Sequence, residues 1–137
     1  MTFNVRYGTA PDGINHWRFR RKRVVKTLES LLPDVIGLQE ALPFQIDEIR
    51  SALPMYDEVG VGRDCGQRQG EHATILYRSD RYRAQERGTF WFSETPDVAG
   101  SRHWGNRNAR ICTWARLLEA QTGASFSCYN LHLDHWS

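Results

Sequence analysis

The stretch from Pro33 to Glu40, Pro-Asp-Val-Ile-Gly-Leu-Gln-Glu, is the feature that most constrains how this chain can fold. It is a short, almost uninterrupted apolar run that ends in a carboxylate, a pattern typical of a strand buried on both faces. A buried strand that delivers one carboxylate at its carboxyl end is a common way to place a metal ligand at a cleft. Glu40 is therefore either such a ligand or the first solvated residue after a core strand, and this stretch alone leaves both interpretations open.

The length of 137 residues indicates one domain, residues 1–137, with a single compact core. A content of 40% hydrophobic and 25% charged residues is typical of a globular protein, and the net charge of +2 does not by itself imply a polyanionic partner. The three cysteines lack metal-ligand spacing and predict no disulfide framework. No stretch approaches the length of a membrane-spanning helix, so we expect no membrane span. Nothing in the sequence indicates an obligate protein partner.

The first residues alternate, with Met1, Phe3, Val5 and Tyr7 predicted on one face of an opening strand. Because Met1 falls inside this strand, we expect an upstream extension, and the localisation stays open between cytoplasmic and secreted. Asn15 is the predicted cap of a helix that contains the apolar positions from Trp17 to Leu32.

A second helix is predicted after Glu40, with Pro43 in its first turn and Leu42, Ile46, Ile49 and Leu53 at helical spacing. Strand, helix, strand, helix is the opening of an α/β layered fold. The remaining predicted strands are Tyr56–Val61, Ala73–Arg78, Arg83–Phe92, Arg110–Glu119 and Ser125–Leu133.

The segment from Ser93 to Asn108 is predicted to be irregular. A loop of this length is usually functional or disordered. It is either a rim that shapes a substrate site or an Ω-like loop pinned by Trp91 and Trp104.

The last strand alternates between two chemically different faces. One face is apolar and predicted to be buried, and the other is polar; they carry Tyr129, Leu131 and Leu133, and Cys128, Asn130, His132 and Asp134, respectively. His132, flanked by hydrogen-bonding side chains, is a candidate general acid, base or oxyanion stabiliser. The alternative is a solvated sheet edge with a structural histidine.

Glu71 opens another predicted strand after the glycine-rich turn from Gly62 to Gly70. If this strand lies close to the last one, Glu71 orients His132, following the general logic of a base held by a third group. The alternative is a turn carboxylate that faces water.

The ordered set of motifs resembles the endonuclease/exonuclease/phosphatase superfamily, also called deoxyribonuclease-I-like. The motifs are Thr-Phe-Asn-Val-Arg-Tyr from Thr2, Pro-Asp-Val-Ile-Gly-Leu-Gln-Glu ending at Glu40, and Asn-Leu-His-Leu-Asp-His from Asn130. Gly70-Glu71 and the run from Thr89 to Pro96 look like one bacterial branch. The resemblance implies an α/β (α+β) fold that is part of a four-layered α/β/β/α sandwich. It also implies a metal-dependent phosphoesterase that hydrolyses a phosphodiester or a phosphomonoester.

The resemblance also implies roles for matching positions. Glu40 matches the main metal-binding glutamate, with Mg²⁺ the usual ion and Mn²⁺ an alternative. Asn4 helps to hold the metal and the phosphate, and Glu71 with His132 forms a catalytic carboxylate–histidine pair. Arg110 and Asn130 are expected to contact the substrate phosphate. The implied substrate is a nucleic acid, a lipid head group or a small phosphate ester.

Two family features do not occur in these 137 residues: a Gly-Asp-Phe-Asn-like segment and the final Asp-His pair that activates water. Asp134-His135 has the composition of that pair, but its place after Asn130 and His132 assigns it to the earlier motif. We therefore expect the chain to be the N-terminal portion of one domain, inactive by itself. The alternative function is a catalytically incomplete fragment that acts at most as a metal- or phosphate-binding module.

Overall fold

The computed structural model describes residues 1–103 and 105–133, which form two β-sheets and two α-helices. In chain order the elements are β1 Thr2–Asn4, a 3-10 turn Gly13–Asn15, α1 Trp17–Leu31, β2 Val35–Gln39, α2 Pro43–Ala52, β3 Tyr56–Val59, β4 Ile75–Arg78, β5 Tyr82–Trp91, β6 Ile111–Glu119 and β7 Ser125–Leu131. Among the described helices, neither is both long and apolar enough to cross a bilayer.

The first sheet has the strand order β1-β2-β4-β3, with β2 parallel to β1 and antiparallel to β4. The helices cover one of its faces, where Ile36, Leu38 and Leu76 are fully buried. They join Leu28 of α1 and Ile49 of α2 in one apolar cluster. The prediction of a buried strand that ends beside Glu40 is confirmed.

The second sheet is antiparallel, has the order β5-β6-β7, and packs on the other face of the first sheet. Ile75 and Tyr77 from β4 contact Ala115 and Leu117 from β6 in the apolar cluster between the sheets. Helices, sheet and sheet therefore form three successive layers, which confirms the α/β layered prediction. Within residues 1–103 and 105–133, no further layer covers the outer face of the second sheet.

The two faces of β7 are reversed relative to the sequence prediction. Tyr129 is 64% exposed and Leu131 is 37% exposed, while Asn130 is only 6% exposed. The polar face points toward the first sheet because Gly37 leaves space there: a Cβ on Gly37 would lie 2.7 Å from Oδ1 of Asn130. A buried amide at this point is tolerated because all its polar groups have hydrogen-bond partners.

Two further predictions at the start of the chain are wrong. The opening strand ends at Asn4 instead of Tyr7, because Arg6 adopts a left-handed backbone with φ of 59° that breaks the extended run. The cap of α1 is His16, whose Nδ1 accepts a hydrogen bond from the Arg18 amide at 3.3 Å, while Asn15 lies in the preceding 3-10 turn. The helices themselves are confirmed.

Candidate functional site

Glu40 follows β2 directly and has a left-handed backbone, with φ of 61°. Such a conformation is unfavourable for a residue other than glycine by about 1–3 kcal/mol, so the surrounding contacts must hold it. Its Oε1 accepts a hydrogen bond from Nδ2 of Asn4 at 2.8 Å, and its Oε2 accepts one from the amide of Tyr7 at 3.2 Å. Each carboxylate oxygen can accept more than one bond, so Glu40 is held in place and still able to bind a cation.

Asn4 connects the end of β1 to Glu40 and to the turn that follows. While its Nδ2 donates to Glu40, its Oδ1 accepts the backbone amide of Arg6 at 2.9 Å. The guanidinium of Arg6 in turn donates to both carboxylate oxygens of Asp12, at 3.0 and 3.2 Å, and this pairing raises the pKa of Arg6 and lowers the pKa of Asp12. Asn4 therefore orients Glu40 in this structure, and its contact to metal or phosphate stays a prediction.

The loop between β3 and β4 delivers a second carboxylate, Glu71, together with an arginine. Nη1 of Arg63 donates to Oε2 of Glu71 at 2.9 Å, and Nη2 donates to Oε1 at 3.3 Å. The backbone amide of Arg63 also donates to the carbonyl of Glu71, and the indole of Trp91 donates to the carbonyl of Arg63 at 2.7 Å. Hydrogen bonds thus connect the two ends of this loop to each other and connect the loop to the second sheet.

The second sheet contributes the remaining side chains of the site. Arg110 directly precedes β6 and is 7% exposed, and His132 directly follows β7 and is partly buried. Nδ1 of His132 is buried and has no hydrogen-bond partner among the residues that the structure describes. An unsatisfied buried nitrogen of this kind is costly, which is expected where a bound ligand or water completes the site.

These elements surround one cleft of about 170 Å³, and the residues around it are Arg6, Tyr7, Glu40, Arg63, Glu71, Asn108, Arg110 and His132. A cleft of this volume has room for a phosphoryl group or several waters. Three guanidinium groups and a histidine face two carboxylates, so the cleft suits an anion held next to a cation.

The described residues contain no cluster of three or more histidine, cysteine, aspartate or glutamate side chains that could hold a metal by themselves. A cation beside Glu40 would need water and substrate oxygens as its other ligands, and the second carboxylate of the cleft, Glu71, is already paired with Arg63. This donor set matches Mg²⁺, which keeps several waters and is usually bound through one or two carboxylates plus phosphate. His72 is buried, and its Nδ1 lies 3.1 Å from the carbonyl of Gly70, so this ring nitrogen is directed at the backbone. Burial also lowers the pKa of His72.

Asn130 lies beneath the cleft, between the two sheets. Its Nδ2 donates to the carbonyls of Leu38 at 2.8 Å and Thr74 at 2.9 Å, just past the last paired residues of β2 and β4. Its Oδ1 accepts from Nε2 of Gln39 at 2.7 Å. Both polar groups of Asn130 are thus used within the protein, and its predicted contact to substrate phosphate stays a prediction.

The structure therefore brings five of the six predicted site residues to one place, and these are Asn4, Glu40, Glu71, Arg110 and His132. Sequence reasoning missed Arg63. The glycine-rich turn from Gly62 to Gly70 was a signal that the chain folds back there, but it did not predict an arginine paired with Glu71. Trp104, Asp134 and His135, which also entered the sequence argument, lie outside the described residues.

The irregular segment from Ser93 to Asn108 is confirmed as a loop over its described residues, 93–103 and 105–108. Ser93 and Ser101 bring their hydroxyls within 2.7 Å of each other, and the Thr95 amide donates to Oγ of Ser93 at 3.0 Å. The Trp91 indole donates to the Arg63 carbonyl in the neighbouring loop, and the Trp91 backbone amide donates to the Pro96 carbonyl of this loop at 2.9 Å. Asn108 reaches the cleft, so the end of the loop forms part of its rim.

Comparison with known proteins identifies one family and several solved relatives. The model of the endonuclease/exonuclease/phosphatase family matches residues 1–136. A solved endonuclease/exonuclease/phosphatase from Bacteroides vulgatus is 41% identical with a TM-score of 0.95, and covers 98% of this chain and 51% of its own. The mannosyl-6-phosphatase Bt3783 of Bacteroides thetaiotaomicron is 38% identical with a TM-score of 0.94, over 99% of this chain and 51% of that chain.

A more distant curated relative is a nuclease. The CCR4-Not complex 3'-5'-exoribonuclease subunit Ccr4 of Emericella nidulans is 28% identical over 95% of this chain and 22% of its own length. The chain thus spans about half the length of the solved relatives that it matches. Its sheets and helices have the deoxyribonuclease-I-like α/β fold, as the sequence predicted. The chain belongs to the endonuclease/exonuclease/phosphatase family.

Proposed function

We propose that the protein is a metal-dependent phosphoesterase whose active site is the cleft around Glu40. The observation that carries the proposal is the Glu40 carboxylate, fixed by Asn4 and Tyr7 on the wall of a cleft that also presents Arg110 and His132. A hard divalent cation beside a carboxylate, with guanidinium and imidazole groups opposite, is the arrangement that phosphoryl transfer requires.

The chain's own residues have separate tasks in this proposal. Asn4 and the Tyr7 amide keep Glu40 oriented as the ligand for Mg²⁺, with Mn²⁺ as the alternative ion. When bound, the cation neutralises charge on the phosphoryl and leaving oxygens. Arg110 binds a phosphoryl oxygen, and His132 donates a hydrogen bond to the phosphoryl group as negative charge develops there. Glu71 keeps the imidazole of His132 in one orientation.

We propose a small phosphomonoester as the substrate class. The support is that the relative named as a mannosyl-6-phosphatase is 38% identical, whereas the exoribonuclease is 28% identical. We also propose that the isolated 137 residues do not turn over substrate, because the sequence holds no final Asp-His pair to activate water. Activity then belongs to the natural full-length protein.

The test uses the full-length protein with Mg²⁺ and four substrates: p-nitrophenyl phosphate, bis(p-nitrophenyl) phosphate, mannose 6-phosphate and an oligoribonucleotide. Glu40→Gln and His132→Ala should each lower kcat/KM by about 100-fold or more, as expected when a preorganised electrostatic group is lost. Glu29→Gln, on the exposed side of α1, is the matched control and should keep full activity.

Calorimetry supplies a readout that does not depend on turnover, since Mg²⁺ or Mn²⁺ binding should disappear in Glu40→Gln and persist in Glu29→Gln. Full activity in both Glu40→Gln and His132→Ala would refute the assignment of the site. Preferential hydrolysis of the oligoribonucleotide would refute the proposed substrate class alone.

A further inference from the structure

Arg63 is a charged side chain of the cleft for which the motifs predict no role. Only 13% of its side chain is exposed, and the Glu71 side chain with which it pairs is 19% exposed. Both guanidinium ends are engaged: Nη1 and Nη2 each donate to a different oxygen of Glu71, at 2.9 and 3.3 Å. A two-point pair of this kind sets the direction of the carboxylate as well as its position.

The backbone around this pair is built to hold it. The Arg63 amide donates to the Glu71 carbonyl at 3.1 Å, and the Asp64 amide donates to the Gln69 carbonyl at 3.2 Å, so the two arms of the loop face each other. Gly70 has φ of 85°, and a Cβ there would lie 2.4 Å from the carboxylate of Asp64. The turn therefore closes tightly only with glycine at this position.

A separate contact ties this loop to the other sheet. The indole Nε1 of Trp91, at the end of β5, donates to the carbonyl of Arg63 at 2.7 Å, and Trp91 is 5% exposed. Trp91 therefore holds the backbone of Arg63, and the Arg63 side chain holds Glu71. This series of hydrogen bonds connects a buried residue of the second sheet to the carboxylate that shares the cleft with His132.

We propose that Arg63 is a positioning residue that acts through Glu71 and does not bind the substrate phosphate itself. The guanidinium edge formed by Nη1 and Nη2 is already occupied by Glu71. The other edge is closed to a phosphate because Nε is buried inside the protein. Arg63 keeps the Glu71 carboxylate in the one orientation in which it can accept a hydrogen bond from a neighbouring donor in the cleft. The inference rests on the proposed function, because it assigns Glu71 a task in that reaction.

A double-mutant cycle in the full-length protein tests the inference. Arg63→Met should lower kcat on p-nitrophenyl phosphate by on the order of 100-fold, the effect of misplacing a catalytic group by about 1 Å. Arg63→Lys should recover part of the loss, because lysine holds one oxygen only. In a Glu71→Gln background, Arg63→Met should change kcat by less than about threefold, because residues that act as a unit are not additive.

The inhibition constant of inorganic phosphate separates positioning from direct binding. It should stay within about threefold of the wild-type value in Arg63→Met, since loss of an interaction made only in the transition state leaves ground-state affinity unchanged. A tenfold weaker phosphate affinity with unchanged kcat would overturn the proposal, and so would equal losses of kcat in the wild-type and Glu71→Gln backgrounds.

A crystal structure of Arg63→Met tests the positioning role of Arg63 without relying on turnover. If the full-length protein hydrolyses none of the substrates, the proposed function is refuted, but this structural test still applies. The carboxylate of Glu71 should then be rotated away from its place in the cleft, while Arg63→Lys retains it. Trp91→Phe, which removes the indole donor but keeps an aromatic side chain, should displace the loop to a smaller extent. An unmoved Glu71 in Arg63→Met would overturn the positioning role.

Discussion

Replacement of Asn130 by alanine tests the junction between the two sheets. The substitution removes the donor that satisfies the carbonyls of Leu38 and Thr74, and the acceptor that pairs with Gln39. Gln39 keeps contacts with the Thr2 hydroxyl and the Gly37 carbonyl, so its amide is not left alone. Each of the three lost hydrogen bonds contributes about 1 kcal/mol net, so Asn130→Ala should lower the free energy of unfolding by about 3 kcal/mol.

Asn130→Asp sharpens this prediction because it keeps the shape and changes only the chemistry. The aspartate keeps the oxygen that accepts from Gln39 but places its second oxygen opposite two carbonyl oxygens, and a buried charge that faces acceptors is more costly than a missing amide. We therefore expect Asn130→Asp to be at least as destabilising as Asn130→Ala. Asn15→Ala, which changes an exposed asparagine, serves as the control and should shift stability by no more than about 0.5 kcal/mol.

The assay is equilibrium unfolding in urea, followed by circular dichroism on the full-length protein at neutral pH. A loss below about 1 kcal/mol in Asn130→Ala would contradict the hydrogen-bond accounting. An Asn130→Asp variant that is clearly more stable than Asn130→Ala would show that the space filled by the side chain matters more than its two donor bonds.

Two further predictions concern the same part of the molecule. Gly37→Ala should lower the free energy of unfolding by about 1–3 kcal/mol, because the new Cβ would lie 2.7 Å from Oδ1 of Asn130. The loss should be smaller when Asn130→Ala is also present, and urea unfolding of the single and double variants measures both values. Additive losses would contradict the steric explanation. Burial lowers the pKa of His72, so its contribution to stability is present above the unfolded value of about 6.5 and is lost as pH falls through the folded pKa. The urea midpoint of the wild type should thus fall more between pH 7.5 and pH 5 than that of His72→Asn, and equal falls would contradict this prediction.

Much of the secondary structure was predictable because local pattern and local structure agree. The apolar run before Glu40 and the helical spacing of Leu28 and Ile49 each report the environment of a single element, and each was assigned correctly. The ordered motifs also located Glu40, Glu71 and His132, since strand ends that face one edge of a sandwich bring distant residues to one cleft.

Errors arose where the outcome depends on a second element. The apolar residues Tyr129 and Leu131 were predicted to be buried, yet they face outward, because the space beside Gly37 draws Asn130 inward instead. Alternation along a strand shows that two faces differ, but it does not show which face meets the neighbouring sheet. The cap of α1 at His16 instead of Asn15 depends in the same way on the turn that precedes the helix.

The sequence by itself determined the order of the elements, the family, and the carboxylates and histidine available for chemistry. Only the tertiary structure decided how these groups are held: Glu40 by Asn4 and Tyr7, and Glu71 by Arg63. The physical reason is that a hydrogen bond between residues far apart in the chain leaves no periodic trace in the sequence. For Glu40, the tertiary structure shows a carboxylate that is held by two hydrogen bonds on the wall of the cleft.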